Sequence, residues 1–296
     1  MSLRLRLTLG LVLVNAVVLV SPALDIGILD FQRGNDLPSV VYLPTYAAVA
    51  AYHGALGDGP PDLAAFLREV RDFAVAEYAP ALLRGSAISP QERERIVARL
   101  AALTGLSPAW IERHDLRIDI ARFCKELLKD RGRTVGRLDG RFLGRDSDSG
   151  GTELQVDPSF VAPMGPYTAL MNDYVRSELG FEEERAYRII NMQMNESWKW
   201  EIPKGHVGGY PNVVGDLRRA MLDNPHLEVV FLNGLYDLAT PFFASETTAR
   251  HLGSEPELRG KSTEHAYPAG HMMYLHPPSR AQMGRDLAAL FGRLST

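Results

Sequence analysis

The chain has 296 residues, 46% hydrophobic and 23% charged, with a net charge of −4. That is enough for one large globular domain or two ordinary ones, and scattered Lys and Arg with a mild negative balance give no electrostatic ground for binding nucleic acid or an anionic membrane. A single cysteine, Cys124, excludes an intramolecular disulfide.

The first stretch, MSLRLRLTLGLVLVNAVVLVSPALD, supports two readings. Two arginines, an apolar run from Leu7 to Val20 and the small residues Ser21 and Ala23 outline a secretory signal peptide. The valine-rich part, residues 11–20, stopped by Ser21-Pro22, also reads as a central sheet strand buried on both faces. The run is short of the roughly 20 residues a spanning helix needs. The strand is the preferred reading, because cleavage near Ser21 would remove a piece the fold requires.

Pro44 is expected to open a short helix running through His53. A second helix follows Pro60-Pro61, with Leu63, Phe66, Leu67, Val70, Phe73 and Ala74 on one face. A third starts after Ser89-Pro90 and ends at Gly105, a short fourth starts at Ser107-Pro108, and a fifth ends at Gly132. Cys124, beside Phe123 and Leu127, reads as a small buried thiol in the fifth. Residues 133–165 read as short strands and loops rich in Gly and Asp, followed by a helix over 167–179 and an irregular segment holding Trp198 and Trp200.

From residue 212 the texture is α/β: a helix ending at Pro225, the buried strand EVVFLNG, a helix from Pro241, the short strand KSTEHAY and an amphipathic closing helix. This alternation is the signature of a mostly parallel sheet. Functional loops of such sheets lie beyond the carboxyl ends of strands. Asp237 follows the first of these strands, and His271 follows the second, 34 residues further on. An acid and a histidine on neighbouring strand ends are the last two members of a Ser…Asp…His triad in α/β-hydrolase order. The carboxylate fixes the imidazole tautomer, and the imidazole takes a proton from a nucleophile. Taken singly, Asp237 could cap the helix near Pro241, and His271 could be a turn histidine after Gly270.

The strings NGLYDLATPFF, AGHMMYLH, GPYTALMNDYVRSELG and VVLVSPALD closely resemble the bacterial branch of the serine carboxypeptidases, over nearly the whole chain from about Val17 to Phe291. The resemblance implies an α/β-hydrolase that removes C-terminal residues from peptides through an acyl-enzyme, without a cofactor and with a peptide as its partner. It implies that Asp237 is the triad acid and His271 the base. Tyr274 stands where eukaryotic relatives carry proline. The implied fold class is α/β, the C-terminal portion of an α/β-hydrolase sheet, with core residues 1–34 and 206–296 and a mainly helical cap over 35–205. By the same analogy Met272 and Met273 could wall the pocket for the substrate's last side chain, with core packing equally open.

The nucleophile is missing: no Gly-x-Ser-x-Gly occurs in the sequence. Ser86 fails the pattern at Ile88, and Ser149 lies in a Gly/Asp-rich turn. In the family the strand matching NAVVLVSPALD follows the nucleophile helix, so the elbow is expected ahead of Met1. The chain is then expected to be inactive as given, with an incomplete sheet of about three strands and one exposed edge. Alternatives are a non-catalytic binding module and a related hydrolase or acyltransferase. His265, His276, Asp286 and Glu264 lie close in sequence to His271, but their spacing is not that of a helix-face metal pair. Trp198 and Trp200 could line a cleft or anchor the cap. The compartment stays open; export is what the family resemblance suggests for a full-length protein.

Overall fold

The computed structural model describes residues 15–148, 150–152, 154–185, 187–197, 211–253 and 255–294. Its organising element is a parallel three-stranded sheet. Strand β1 (Ala16–Val20) pairs with β4 (Glu228–Gly234), which pairs with β5 (Ser262–Tyr267). β4 is therefore the central strand and is buried from Val229 onward, whereas β1 is only half-buried. This corrects the expectation for residues 11–20: the described part forms an edge among the described strands, and residues 11–14 lie outside the described residues.

The sheet is covered on both sides. On one face Val229 and Phe231 pack with Val17, Leu19 and Met221. On the other, Val230 and Leu232 pack with Val18, Met273 and Leu290. Period-2 alternation along β4 thus feeds two separate cores, as a doubly covered parallel strand requires.

The helical layer opens with α1 (Leu37–Tyr52), whose residues Pro38 to Ala50 are all buried. The expected start at Pro44 is wrong by seven residues. Pro38 lies in the first turn, where its missing N–H costs nothing, and Pro44 sits inside the helix. Burial on every side outweighs the hydrogen bond Pro44 removes. Helix α2 (Leu63–Phe73) is capped by Asp62, which accepts from the Ala64 and Ala65 amides. Its expected face is the buried one: Leu67, Val70, Phe73 and Ala74 are enclosed. The run passes through a π turn, Ala74–Tyr78, into α3 (Ala79–Arg84). Pro80 explains the widened turn, because its ring would clash with the carbonyl four residues back.

Helices α4 (Pro90–Thr104), α5 (Pro108–Arg113) and α6 (Ile120–Glu126) start at Ser89, Ser107 and Asp119, each accepting a first-turn amide. α6 is shorter than expected, and Gly132 at φ +61 closes the 3-10 turn that follows it. Cys124 is fully buried, and burial pushes its thiol pKa up. Strands β2 (Thr134–Val135) and β3 (Leu143–Gly144) form a small antiparallel hairpin.

Helix α7 (Pro158–Ser177) begins nine residues before the expected start, capped by Asp157, with Pro163 and Pro166 inside it. The cap at Asp157 and Pro158 is the stronger start signal, and the later prolines do not stop the helix. A short α8 (Met192–Ser197), α9 (Val214–Asp223), α10 (Phe242–Arg250) and α11 (Pro277–Leu294) complete the chain order. Trp198, Trp200 and Ser149 lie outside the described residues. No described helix is long and apolar enough to cross a membrane.

The helical layer shares one hydrophobic core with the loop after β4. Tyr236, Leu238, Phe242 and Phe243 cluster with Tyr42, Tyr46, Leu67 and Phe123. The Tyr42 hydroxyl donates to the Ala239 carbonyl at 3.3 Å.

Two glycines should respond oppositely to a methyl group. A Cβ on Gly234 would stand 2.2 Å from the Gly270 carbonyl oxygen, whereas one on Gly284, inside α11, meets nothing within 4 Å. Chemical denaturation should show Gly234→Ala destabilised by about 1–3 kcal/mol and Gly284→Ala stabilised by about 0.5–1 kcal/mol.

Candidate functional site: a buried acid and a histidine at adjoining strand ends

β4 and β5 run parallel in a register that sets Gly234 beside Tyr267, so their following loops emerge together. The loops are joined directly: the Leu235 amide donates to the Tyr267 carbonyl at 2.9 Å and the Tyr236 amide to the Ala269 carbonyl at 3.0 Å. Asp237 and His271 meet across this junction, with Asp237 Oδ2 2.9 Å from His271 Nδ1. The contact expected from sequence is therefore present.

Asp237 is fully buried. A buried carboxylate is costly unless its lone pairs are filled. Here four donors converge. Oδ1 accepts from the Ala239 and Thr240 amides at 2.8 and 3.0 Å. Oδ2 accepts from the Thr240 hydroxyl at 2.7 Å and from the His271 ring. The two sequence readings of Asp237 are thus combined, because one oxygen caps the turn before α10 while the other faces the imidazole.

Since a carboxylate only accepts, Nδ1 carries the proton, and in the neutral ring Nε2 is the acceptor. His271 lines a cavity of about 1690 Å³. Among the described residues no hydroxyl hydrogen-bonds to Nε2. Burial lowers the His271 pKa, but the Asp237 hydrogen bond and charge outweigh it, Arg137 opposes them, and the net displacement is upward.

Two supports were not legible in the sequence. The first joins β1 to the site. Ser21, at the end of β1, has φ +46, an uncommon conformation for a residue other than glycine. Its hydroxyl donates to the His271 carbonyl at 2.7 Å, and its own carbonyl lies 3.2 Å from the Thr240 hydroxyl, whose one proton goes to Asp237 at 2.7 Å. Ser21 therefore binds the backbone of the histidine loop and leaves the ring alone. The second is a strap, residues 137–141, between β2 and β3. The Leu238 amide donates to the Arg137 carbonyl at 3.1 Å, and the Gly140 amide to the Tyr236 carbonyl at 2.9 Å. The His271 amide donates to the Leu138 carbonyl at 2.7 Å, and the Gly270 amide to Asp139 Oδ2 at 3.1 Å. Arg141 pairs with Asp139 and donates to the Pro268 carbonyl at 2.8 Å. A Cβ on Gly270 would lie 2.4 Å from Asp139 Cβ, so the strap fits only against glycine. GRLDGR belongs to the stretch expected to hold short strands and loops rich in Gly and Asp; the strands are present as β2 and β3, and the bonds of the loop between them to the two site loops have no sequence signal.

The remaining candidates separate. Met272 lines the His271 cavity. Met273 is fully buried in the core beneath α11 and is not in that lining, so of its two readings the pocket wall fails and core packing holds. Tyr274 lines the cavity. His265 lies 3.7 Å from Asp286, and His276 bonds Ser279 at 2.7 Å. Glu264, its pKa raised to about 7 by burial and by Glu246, lines a different pocket with Arg71 and Arg250. Ser86 lies on an exposed turn after α3.

Comparison with family models, with curated proteins and with solved structures returns no match for this chain.

The pair makes a direct titration prediction. By NMR the His271 imidazole should titrate above about 6.5. Asp237→Asn removes the charge and the accepting partner, leaves burial dominant, and should move the pKa below that value. The raised folded-state pKa means that the stabilisation from the charged pair is fully present below about pH 6.5 and fades as pH rises through the His271 pKa.

Proposed function

We propose that Asp237 and His271 are the acid and base of a serine-type acyl-transfer site on an α/β-hydrolase core, and that its reaction is hydrolysis of C-terminal peptide bonds. One observation carries the reading: a fully buried, four-donor carboxylate bonded at 2.9 Å to the Nδ1 of a histidine that lines a large cavity. In such a pair the acid orients the ring and stabilises the imidazolium while Nε2 removes a proton from an attacking hydroxyl.

The peptide substrate rests on the resemblance of NGLYDLATPFF and AGHMMYLH to the serine carboxypeptidases, and the parallel sheet with a shared helical layer agrees with it. The nucleophile of this reading belongs to a Gly-x-Ser-x-Gly elbow, which the sequence does not contain. Acid and base alone have no group to activate, so the 296-residue chain by itself is read as inactive.

The experiment is genetic and then enzymatic. Codons upstream of Met1 in the same frame should encode a Gly-x-Ser-x-Gly segment. The protein extended through it should cleave a peptide with a free C-terminus and spare its C-terminal amide. His271→Ala in that protein should lower kcat by on the order of 10⁴-fold or more. A stop codon ahead of Met1 would overturn the reading, as would labelling of the 296-residue chain at one of its own serines by a fluorophosphonate.

A further inference from the structure

The strap that ties the two loops together also presents a cation. Arg137 is bonded through its backbone on both sides: its carbonyl accepts from Leu238, and its amide donates to Asp157 at 3.1 Å. The next residue, Leu138, accepts from the His271 amide. Position 137 is therefore fixed between the acid loop and the base loop. Its side chain is exposed, lines the cavity together with His271, and has no ion-pair or hydrogen-bond partner among the described residues. The guanidinium is close enough to oppose the upward displacement of the His271 and Tyr42 pKa values.

The surrounding charges do not balance: guanidiniums outnumber carboxylates in the lining. Arg117, also on the cavity, is held by Asp36. Asp119 and Asp157 line it too and keep their charge while capping, Asp119 accepting the Ala121 and Arg122 amides and Asp157 the Ser159 and Arg137 amides, so four lining guanidiniums, of Arg33, Arg117, Arg122 and Arg137, face two lining carboxylates. Arg33 and Arg122 add two further exposed guanidiniums without an ion-pair partner among the described residues. The cavity beside the histidine thus combines an apolar wall, from Met272, Phe160 and Ile190, with a surplus of positive charge.

We propose that Arg137 is the anion-binding residue of this cavity and that it holds a carboxylate of the ligand next to His271. The guanidinium fork matches a carboxylate through two parallel N–H···O bonds, a geometry a lysine cannot reproduce. The choice of a peptide carboxylate rests on the proposed function. That carboxylate is either the peptide's terminus or an Asp/Glu side chain. A terminal carboxylate bound here would place the last peptide bond near the imidazole. A side-chain carboxylate would instead make the site selective for acidic peptides.

Isothermal titration of the 296-residue chain with four N-benzoyl dipeptides tests this and identifies the source. Gly-Phe as free acid carries only a terminal carboxylate, Gly-Glu amide only a side-chain one, and Gly-Phe amide and Gly-Gln amide carry none. At least one carboxylate-bearing peptide should bind about tenfold tighter than its neutral counterpart. Arg137→Gln should erase the advantage, and Arg137→Lys should retain part of it. Because the side chain is exposed and unpaired, Arg137→Gln should keep the wild-type Tm and should raise the His271 pKa in the ligand-free protein. Equal binding of charged and neutral peptides, no binding of any of them, or an advantage that survives Arg137→Gln would overturn the proposal. An advantage confined to Gly-Glu amide would uphold Arg137 and count against the carboxypeptidase reading. Turnover by the extended protein with no role for Arg137 would do the reverse.

Discussion

The loops after β4 and β5 approach each other more closely than any side chain would permit. A methyl group on Gly234 would overlap the Gly270 carbonyl, and one on Gly270 would overlap Asp139. Every other feature of the site depends on this contact. It brings a residue three positions beyond one strand within hydrogen-bonding distance of a residue four positions beyond the next. Parallel pairing supplies the rough juxtaposition; Gly234 lets backbone meet backbone, so that amides and carbonyls of the two loops bond directly, and Gly270 lets the strap close against them.

Close approach makes burial of Asp237 affordable in free energy. An ionised carboxylate enclosed by protein needs its oxygens occupied. The tight turn after Asp237 aims the Ala239 and Thr240 amides at one oxygen, while the Thr240 hydroxyl and the His271 ring reach the other. The imidazole is thereby held in one tautomer with its far nitrogen directed by default away from the acid. Ser21 fixes the same histidine through its carbonyl, which draws the end of β1 into the support. Three strand ends and one strap therefore converge on two side chains.

The helical layer has a part beyond covering the sheet. It shares its core with Tyr236, Leu238 and Phe242, so the acid loop is clamped between sheet and helices. The Tyr42 hydroxyl on the Ala239 carbonyl and the His53 ring on the Gly140 carbonyl, at 2.7 Å, extend the clamp to the turn and the strap. The result is a densely bonded support beneath a histidine that lines a wide cavity, the arrangement that a site requiring fixed geometry and a variable ligand would use.

The sequence by itself determined the parallel α/β texture, because near-continuous apolar strands and alternating helices encode it locally. It also determined the helix starts at Ser89 and Ser107, where the deciding hydrogen bond spans only three residues. The pairing of Asp237 with His271 was legible as well, since their offsets from strand ends are short-range facts. Prolines are weak stops in two helices: α1 runs through Pro44, where burial on every side outweighs local preference, and α7 runs through Pro163 and Pro166 although only Ser159 of it is buried. Only the tertiary structure decided that GRLDGR is a strap, that Ser21 and Thr240 brace the pair, that Met273 belongs to the core, and that Arg137 faces the cavity. The Asp139 contact of the strap spans 131 residues and the Ser21 contacts 219 and 250, while Thr240 reaches His271 across 31 residues as well as Asp237 across three; no local pattern carries information over the long separations.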